Sequence, residues 1–339
     1  MKSIIQKLVE TTGPSGYESR VREVIRDEVG PLVDEVRVDN LGNLITRKGQ
    51  ESPDGIKIML AAHIDEIGLI ATYIDEHGFI RFFPVGGVRP QSCPGGRVRF
   101  LNGVSGIIGV ERLENRVAAP AFEQMFIDVG VSSRKECSVQ VGDMAVFDRP
   151  FLDMGKRLVS KAMDDRIGVA VLIETLRQLH HHTIASPHQL FFVFSVQEEV
   201  GLRGAMTAAF GVDPHVGLAV DVTASGDTPK GLKMEVGLGK GPAIKVRDEG
   251  MLADPRIINW MVNTAKKARL PYQLEVLEGG TTDARAIQLT RVGVPAGCLS
   301  IPCRYVHAPS EMVDLDDVQN AVKLMVELLL NPVQLDSYK

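Results

Sequence analysis

A run at residues 190–196 that is apolar except for Ser195 constrains the fold of this chain of 339 residues more than any other stretch. The run is rich in aromatic and β-branched residues, which is typical of a strand buried on both faces inside a parallel sheet. Gln197, Glu198 and Glu199 follow it, and Gly201 and a helix of small residues come next. The stretch therefore predicts a central strand of an open α/β sheet. Its two adjacent carboxylates lie at the carboxyl end, where such sheets bind ligands.

Further apolar runs predict the rest of this sheet. Residues 56–62 end at His63, residues 216–220 end at Asp221, and residues 297–301 are expected to be the last buried strand. Amphipathic segments between these runs predict helices, as do capping residues and a proline at a first helical position. The predicted helices cover 3–10, 18–29, 167–179, 255–268 with Asp254 as its cap, and a closing segment to 330 that Asp314 with Asp317 caps.

The pattern of the sequence changes between residues 68 and 155. Short apolar runs alternate there with Gly, Pro and Asn, and Asn102-Gly103 is a strong hairpin signal. This pattern predicts a small β-barrel or sandwich inserted into the α/β domain. We therefore expect one domain made of residues 1–67 and 156–339, and an inserted all-β domain at 68–155. Within the insert, residues 114–124 are expected to form a mobile loop.

Charge and composition exclude several classes of partner. The net charge is −5, which gives no basic signal for nucleic acid or an anionic membrane. No window approaches the ~20 apolar residues of a membrane span, and the N-terminus lacks the apolar core of a signal peptide. The four cysteines show no CxxC spacing and are expected to be free thiols. These features predict a soluble, cytoplasmic protein that binds neither nucleic acid nor membrane.

Five separate segments place acids or histidines at strand ends or in adjacent loops. Each alone has an ordinary explanation, because a lone histidine is usually a hydrogen-bonded core residue and a lone Asp before a helix is usually a cap. All five nevertheless fall at the edge where a doubly wound sheet gathers its site. The segments therefore predict one common site, built from His63 with Asp65, Asp164 with Asp165, Glu198 with Glu199, Asp221, and His307.

This combination of side chains predicts a two-metal hydrolytic centre. Imidazole and carboxylate together suit zinc, cobalt or manganese better than magnesium or calcium, which prefer oxygen ligands. Two ions need a bridging carboxylate and a shared water. A further carboxylate that is not a ligand must take the proton of that water. The adjacent Glu198 and Glu199 can supply one ligand and one base.

Six motifs carry a resemblance to a known family: HIDEIG (63–68), KAMDDR (161–166), QEEVGLRGA (197–205), AVD (219–221), GGTTDA (279–284) and RYVHAP (304–309). Together they resemble the glutamyl-aminopeptidase family of dinuclear metallopeptidases, whose tetrahedral members are called TET aminopeptidases. The resemblance covers nearly the whole chain. It implies a doubly wound mixed sheet of the zinc-aminopeptidase type and the removal of single residues from the free N-terminus of peptides.

The resemblance also implies which residues hold the metals. His63, Asp164 and Asp221 would hold one divalent ion, and Asp164, Glu199 and His307 would hold the other. Asp164 would then bridge the pair. The ions implied are zinc or cobalt, with manganese as a further candidate.

The remaining roles follow from the same resemblance. Glu198 would be the general base that deprotonates a bridging water and then the acid that protonates the leaving amine. Asp65 would accept a hydrogen bond from His63 and fix its tautomer. Asp283 is a candidate for the region that binds the substrate amine.

The resemblance suggests a cis peptide bond between Asp164 and Asp165, and it leaves the specificity pocket open. Arg285 and Gln288 stand where a small residue and often a histidine are expected. Arg285 either favours acidic substrate side chains or is an ordinary exposed helix arginine, and Arg304 raises the same question.

Assembly and alternative functions complete the expectations. Family members form dimers and commonly tetrahedral dodecamers through the inserted domain, and the 114–124 loop would then reach a neighbouring site. A deacylase or carboxypeptidase on the same metal scaffold is one alternative. A glycosidase with Glu198 and Glu199 as its acid pair is another, although adjacent acids seldom flank a bond at the required ~5–9.5 Å. A non-enzymatic assembly protein, with the α/β part as scaffold, is the third.

Overall fold

The computed structural model describes residues 1–112, 120–181 and 187–333. Within these ranges a large mixed sheet carries helices on both faces, and a closed six-stranded barrel adjoins it. The helices are α1 (Lys2–Glu10), α2 (Ser19–Val29), α3 (Met163–His181), α4 (Arg203–Val212), α5 (Pro255–Ala268), α6 (Asp283–Gln288) and α7 (Leu315–Leu330).

Seventeen strands are present in the described part of the chain. The first nine are β1 (Glu35–Val38), β2 (Leu44–Lys48), β3 (Lys57–His63), β4 (Gly68–Ile74), β5 (Ile80–Val85), β6 (Arg97–Phe100), β7 (Ser105–Val110), β8 (Met125–Asp128) and β9 (Met144–Phe147). The others are β10 (Leu152–Met154), β11 (Arg157–Ser160), β12 (Gln189–Ser195), β13 (Val216–Ala224), β14 (Ala243–Arg247), β15 (Gln273–Val276), β16 (Ala296–Arg304) and β17 (Glu311–Asp314).

Four parallel strands form the centre of the large sheet, in the order β12-β3-β13-β16. Their sequences are almost wholly apolar because helices cover both faces of the sheet. Antiparallel strands flank this centre, with β2 and β1 beyond β12, and with β17, β11 and β10 beyond β16. This arrangement confirms the doubly wound mixed α/β sheet that the sequence predicts.

Strand β3 shows how the two faces of the sheet are filled. Ile58 and Leu60 lie in the main core with side chains from α1, α3 and α7, whereas Met59 and Ala61 lie in a second cluster with α4 and α6. Successive side chains of a strand point to opposite faces, so one strand serves both cores. Helices therefore occupy both faces, and the carboxyl ends of the parallel strands are left for a site.

The barrel closes through the strand order β4-β5-β8-β7-β6-β9 and spans Gly68 to Phe147 along the chain. Its own core includes Ile80, Phe82 and Phe100. It confirms the small inserted β module that the sequence predicts. Strand β10 pairs with β11 in the large sheet, so the expected boundary at residue 155 assigns one strand of that sheet to the insert.

Five strands were not predicted from the sequence: β10, β11, β14, β15 and β17. The expectation that residues 297–301 form the last buried strand is wrong, because β17 follows and pairs with β11 and β16. Strand β17 has only four residues, and two of them are acidic, so it carries no apolar run. Strands β14 and β15 were also missed, since each combines apolar and charged side chains.

The sequence predicts no membrane-spanning segment and a mobile loop at 114–124. None of the helices in the described part of the chain combines the length and the apolar character that crossing a bilayer requires. The expected loop at 114–124 lies largely outside the described residues, which resume at residue 120 with a short 3₁₀ turn at Phe122–Gln124.

Candidate metal centre

The candidate side chains converge because their strands are parallel neighbours. His63 is the last residue of β3 and lies beside Ser195, the last residue of β12. Asp221 lies in β13, the next strand over, and β13 continues past it to Ala224. Glu198 follows the end of β12. The carboxyl ends of these three strands therefore deliver an imidazole and two carboxylates to one edge.

Asp164 lies between two histidines from different parts of the chain. Its Oδ1 is 3.0 Å from Nε2 of His63, and its Oδ2 is 3.3 Å from Nε2 of His307. Asp164 comes from the start of α3, where its backbone is not helical, and its side chain is 9% exposed. The peptide bond to Asp165 is cis, which confirms that prediction. One carboxylate thus faces two imidazoles.

The other candidates divide between these two histidines. Near Nε2 of His63 lie Asp221 Oδ1 at 4.0 Å and Glu198 Oε2 at 3.8 Å. Glu199 Oε2 lies 3.3 Å from Nε2 of His307. Each imidazole is therefore within reach of the shared aspartate and of at least one further carboxylate.

The donor set fits divalent metal ions. Among the described residues, donor atoms of His63, Asp164 and Glu199 lie within 4.8 Å of one another, and the same holds for His63, Asp165 and Asp221. Oε1 of Glu199 is buried and has no hydrogen-bond partner, although buried carboxylate oxygens are normally paired. Mixed imidazole and carboxylate donors are those that zinc and related ions prefer. Asp165 was not predicted as a ligand, and one of its oxygens accepts from the backbone N–H of Gly168.

Crowded acids give this site a strong negative field. Burial raises the pKa of the Glu198 carboxyl well above its usual range, and the charges of Asp221, Asp283 and Glu199 raise it further while His63 opposes them. Burial likewise raises the pKa of Asp221. Carboxylates that are buried together are costly unless cations neutralise them. Bound cations would therefore stabilise this arrangement.

Asp65 connects the first histidine to both glutamates. Its Oδ1 is 3.4 Å from Nδ1 of His63 and accepts a hydrogen bond from the backbone N–H of Glu198 at 3.0 Å. Its Oδ2 accepts from the Ser15 hydroxyl at 2.6 Å and from the backbone N–H of Glu199 at 3.2 Å. The backbone oxygen of Asp65 is also 3.2 Å from Nδ1 of His63. Asp65 therefore orients three candidate residues at once.

A large cavity of about 1300 Å³ opens beside the candidate ligands. Its lining includes His63, His307, Arg285 and the apolar side chains of Met206 and Phe210. Arg285 is exposed, and no hydrogen bond or ion pair joins its guanidinium to another described side chain. The cavity can hold several residues of a peptide, and Arg285 presents a positive charge to it.

Two other sequence candidates lie away from the cavity wall. Asp283 is buried, its Oδ2 accepts from the Ser195 hydroxyl, and it is not among the cavity-lining residues. Burial raises the pKa of Asp283 to about 6. Arg304 makes two hydrogen bonds to Asp227, at 2.8 and 2.9 Å. Its guanidinium is therefore already paired within the chain.

The barrel also reaches the site, through the loop after β5. A Cβ atom placed on Gly87 would lie 2.3 Å from Nδ1 of His307, and one on Gly86 would lie 3.0 Å from Oε2 of Glu199. Gly86 also has a φ of +80°, which favours glycine. This loop therefore packs so closely against His307 and Glu199 that only glycine fits at positions 86 and 87 without displacing them.

Sequence reasoning missed two buried acids beside the site. Glu18 accepts hydrogen bonds from the backbone N–H groups of Gly16 and Gln197, at 2.7 and 3.2 Å. Glu311 accepts from the backbone N–H groups of Asp164 and His307. Both partners of each acid are backbone groups, so no pattern of side chains in the sequence marks these contacts.

Comparisons with known proteins place the chain in a family. The family model for M42 glutamyl aminopeptidase matches residues 42–324. The lysyl aminopeptidase of Pyrococcus furiosus is 37% identical over 96% of both chains. A solved aminopeptidase from the archaeon Desulfurococcus kamchatkensis is 41% identical, with a TM-score of 0.92 over 98% of this chain and 94% of the other.

The TET1 peptidase of Pyrococcus horikoshii is a further solved relative, with 34% identity and a TM-score of 0.86 over 96% of this chain and 98% of that one. That protein can assemble into a tetrahedron or a large octahedral shell. The chain belongs to the M42 glutamyl aminopeptidase family and is a peptidase. M42 peptidases are metallopeptidases, and the described residues include candidate metal ligands.

Proposed function

We propose that the protein is a metal-dependent aminopeptidase that releases single residues from the free N-terminus of peptides. One observation carries the proposal: the two oxygens of Asp164 face Nε2 of His63 and Nε2 of His307, at 3.0 and 3.3 Å. A carboxylate shared by two imidazole-containing ligand sets is what a two-metal hydrolytic centre requires. The relatives named aminopeptidase support the reaction type.

The proposed ligand sets follow the division of side chains around Asp164. His63, Asp164 and Asp221 would hold one divalent ion, and Asp164, Glu199 and His307 would hold the other. We propose zinc or cobalt, with manganese as the third candidate, because the donors combine nitrogen and oxygen. When bound, the ions would polarise the scissile carbonyl and lower the pKa of the attacking water.

Glu198 is the proposed general base. Its carboxylate lies beside His63 without being assigned to either ligand set, and Asp65 fixes its backbone through the Glu198 N–H. Glu198 accepts the proton of the attacking water and then donates it to the leaving amine. Asp65 keeps the His63 ring oriented while this happens. Asp283 is buried and does not line the cavity. It would therefore act on the substrate amine only indirectly, through another group that lies between them.

We also propose a homo-oligomer built through the barrel, first as dimers and then as a tetrahedral dodecamer. The barrel exposes large apolar side chains, with Tyr73 at 54% and Phe83 at 63% exposure, and such side chains favour interfaces. The P. horikoshii relative assembles into closed shells. We place the boundary of the barrel domain between Phe147 and Leu152, and we propose a cytoplasmic location. Size-exclusion chromatography with light scattering tests the assembly.

A panel of aminoacyl chromogenic amides tests the reaction. The protein is treated with a chelator and assayed before and after zinc, cobalt or manganese is added back. Loss of hydrolysis after chelation and recovery with metal are expected. The family description names glutamyl and the P. furiosus relative is named for lysyl residues, so the panel includes acidic, basic and apolar residues.

Matched substrates separate the alternatives. An aminopeptidase cleaves a free-amine peptide and spares its N-acetylated counterpart, whereas a deacylase or carboxypeptidase on the same scaffold accepts the acetylated one. A glycosidase that used Glu198 and Glu199 as its acid pair would be indifferent to chelator. A protein that holds its full complement of metal ions but cleaves none of these substrates would instead favour a non-enzymatic assembly protein.

A further inference from the structure

Glu311 contacts two of the candidate ligands through their backbones. It is the first residue of β17 and is 2% exposed. Its Oε2 accepts a hydrogen bond from the backbone N–H of Asp164 at 2.9 Å, and its Oε1 accepts from the backbone N–H of His307 at 2.8 Å. Both oxygens of this carboxylate are therefore used to hold ligand-bearing segments, one from each side of the site.

Neither of these amides lies in regular secondary structure. Asp164 has φ −76° and ψ 110°, outside the helical region, although it is at the start of α3. His307 has a φ of +63°, in the left-handed region that non-glycine residues rarely adopt, and lies in the loop between β16 and β17. A buried N–H without an acceptor costs about 1–3 kcal/mol. Glu311 supplies the acceptor for both amides.

The same two residues meet again through their side chains. Oδ2 of Asp164 is 3.3 Å from Nε2 of His307. Glu311 thus links the backbones of Asp164 and His307, and the side chains of the same two residues face each other. Glu311 does not line the cavity.

We propose that Glu311 is a positioning residue, which sets the Asp164 carboxylate and the His307 imidazole at the spacing needed to bind a metal ion between them. The proposal rests on the proposed function, because it assumes that these two residues are ligands. Glu311 itself belongs to neither proposed ligand set, and each of its oxygens accepts a backbone hydrogen bond.

The substitution Glu311→Gln tests this role at nearly constant volume. A glutamine side chain has one acceptor oxygen and one NH₂ group, so it cannot accept from both amides. One ligand-bearing segment then loses its anchor. Substitution of residues that orient metal ligands typically weakens metal affinity 10–100-fold. We expect a loss in this range for at least one of the two ions.

Asp317 provides a matched control. It is fully buried, and its two oxygens accept from the backbone N–H groups of Gly239 and Gly241, both at 2.7 Å. The arrangement of donors matches that at Glu311, but the partners are not candidate ligands. Asp317→Asn removes the same kind of acceptor and is expected to leave metal affinity within about threefold of wild type.

The experiment measures the metal content of the full-length wild type, Glu311→Gln and Asp317→Asn by mass spectrometry after dialysis against buffered zinc. Dissociation constants come from competition with a chromogenic chelator. The unfolding free energy of each chelated protein is measured in parallel at pH 7.5. Weakened zinc binding in Glu311→Gln alone supports the proposal. Wild-type affinity for both ions in Glu311→Gln, with only a change in stability, would overturn it.

Two further outcomes are informative. A wild type that binds no divalent ion would refute the proposed function together with this proposal, whereas two ions in wild type and an unchanged Glu311→Gln would refute this proposal alone. If Glu311→Gln does not fold, hydrogen exchange of the chelated wild type decides. Slow exchange in segments 161–166 and 304–309 is expected, and rapid exchange in both would show that Glu311 does not hold them.

Discussion

Oδ1 of Asp164 lies 3.0 Å from Nε2 of His63, although 101 residues separate them in the chain. The other oxygen of the same carboxylate faces His307 at 3.3 Å. If Asp164 bound a single ion through one oxygen, its second oxygen would face the His307 imidazole without a metal ion to bind. The geometry therefore favours a shared ligand, and this has a direct consequence for metal content.

We expect Asp164→Ala to release both ions together. Its carboxylate is assigned to both ligand sets, so removing it takes one ligand from each. Asp221→Ala is the matched comparison, because Asp221 is assigned to one set only and its loss should spare the other ion. Metal content per subunit, measured after dialysis against trace metal, checks both variants. One tightly held ion remaining in Asp164→Ala would contradict the bridging role.

Glu198→Gln should keep its fold and both ions while losing activity. Glutamine retains the shape of the side chain but cannot accept a proton, and general base catalysis typically contributes 10²–10⁴-fold to the rate. We therefore expect a fall of that size in kcat. Glu199→Gln is the comparison and should lose the ion assigned to His307. If Glu198→Gln loses metal instead, the roles of the two glutamates must be exchanged.

The sequence predicts the centre of the fold because buried parallel strands leave a strong signal. The run at 190–196 corresponds to β12, and 56–62 corresponds to β3. His63 and Glu198 could be placed together because each follows such a run, and the carboxyl ends of parallel strands share one edge. Asp254 was also correctly predicted as a helix cap, since its side chain accepts from the backbone N–H of Arg256.

The contacts that orient the ligands could not be predicted in the same way. Glu311 binds the backbone N–H of Asp164, 147 residues away, and no sequence pattern links the two. Asp317 was expected to help cap the closing helix, but its carboxylate instead holds the N–H groups of Gly239 and Gly241. Asp314 alone caps that helix. Backbone donors are the same in every residue, so their partners emerge only with the tertiary fold.

Arg285 provides a test of substrate preference. Its exposed guanidinium lines the cavity without a partner among the described side chains, so it is free to attract an acidic N-terminal residue. Exposed ion pairs are worth about 0.2–1 kcal/mol, which corresponds to roughly 1.5–5-fold. We expect Arg285→Ala to lower the ratio of kcat/KM for glutamyl over leucyl amides by this factor.

Arg304→Ala is the control for that measurement. Arg304 pairs with Asp227, so its removal should leave the glutamyl to leucyl ratio unchanged even if stability falls. An unchanged ratio in Arg285→Ala as well would show that Arg285 is an ordinary exposed helix arginine.

Asp317 makes the stability of the protein depend on pH in a defined direction. Burial raises its pKa to about 6 in the folded state, against the ~3.9 of an unfolded aspartate, although the two glycine N–H groups oppose the shift. Between these values the folded state binds more protons than the unfolded state. The contribution of Asp317 to stability is therefore greatest below about pH 4 and is lost as pH rises towards 6 and above.

The expected size of this change is about 3 kcal/mol, since the pKa of Asp317 differs by about 2 units between the two states and one unit corresponds to about 1.4 kcal/mol. Asp317→Asn removes the titrating group, so the difference in unfolding free energy between wild type and variant isolates it. Denaturant titrations of both chelated proteins from pH 4 to pH 7.5 measure that difference. As pH rises, the unfolding free energy of wild type should fall relative to that of Asp317→Asn, and the difference should become constant above about pH 6.5. A constant difference, or a wild type that gains relative to the variant at higher pH, would mean that Asp317 is ionised at little cost in the folded protein and that the hydrogen bonds from Gly239 and Gly241 outweigh its burial.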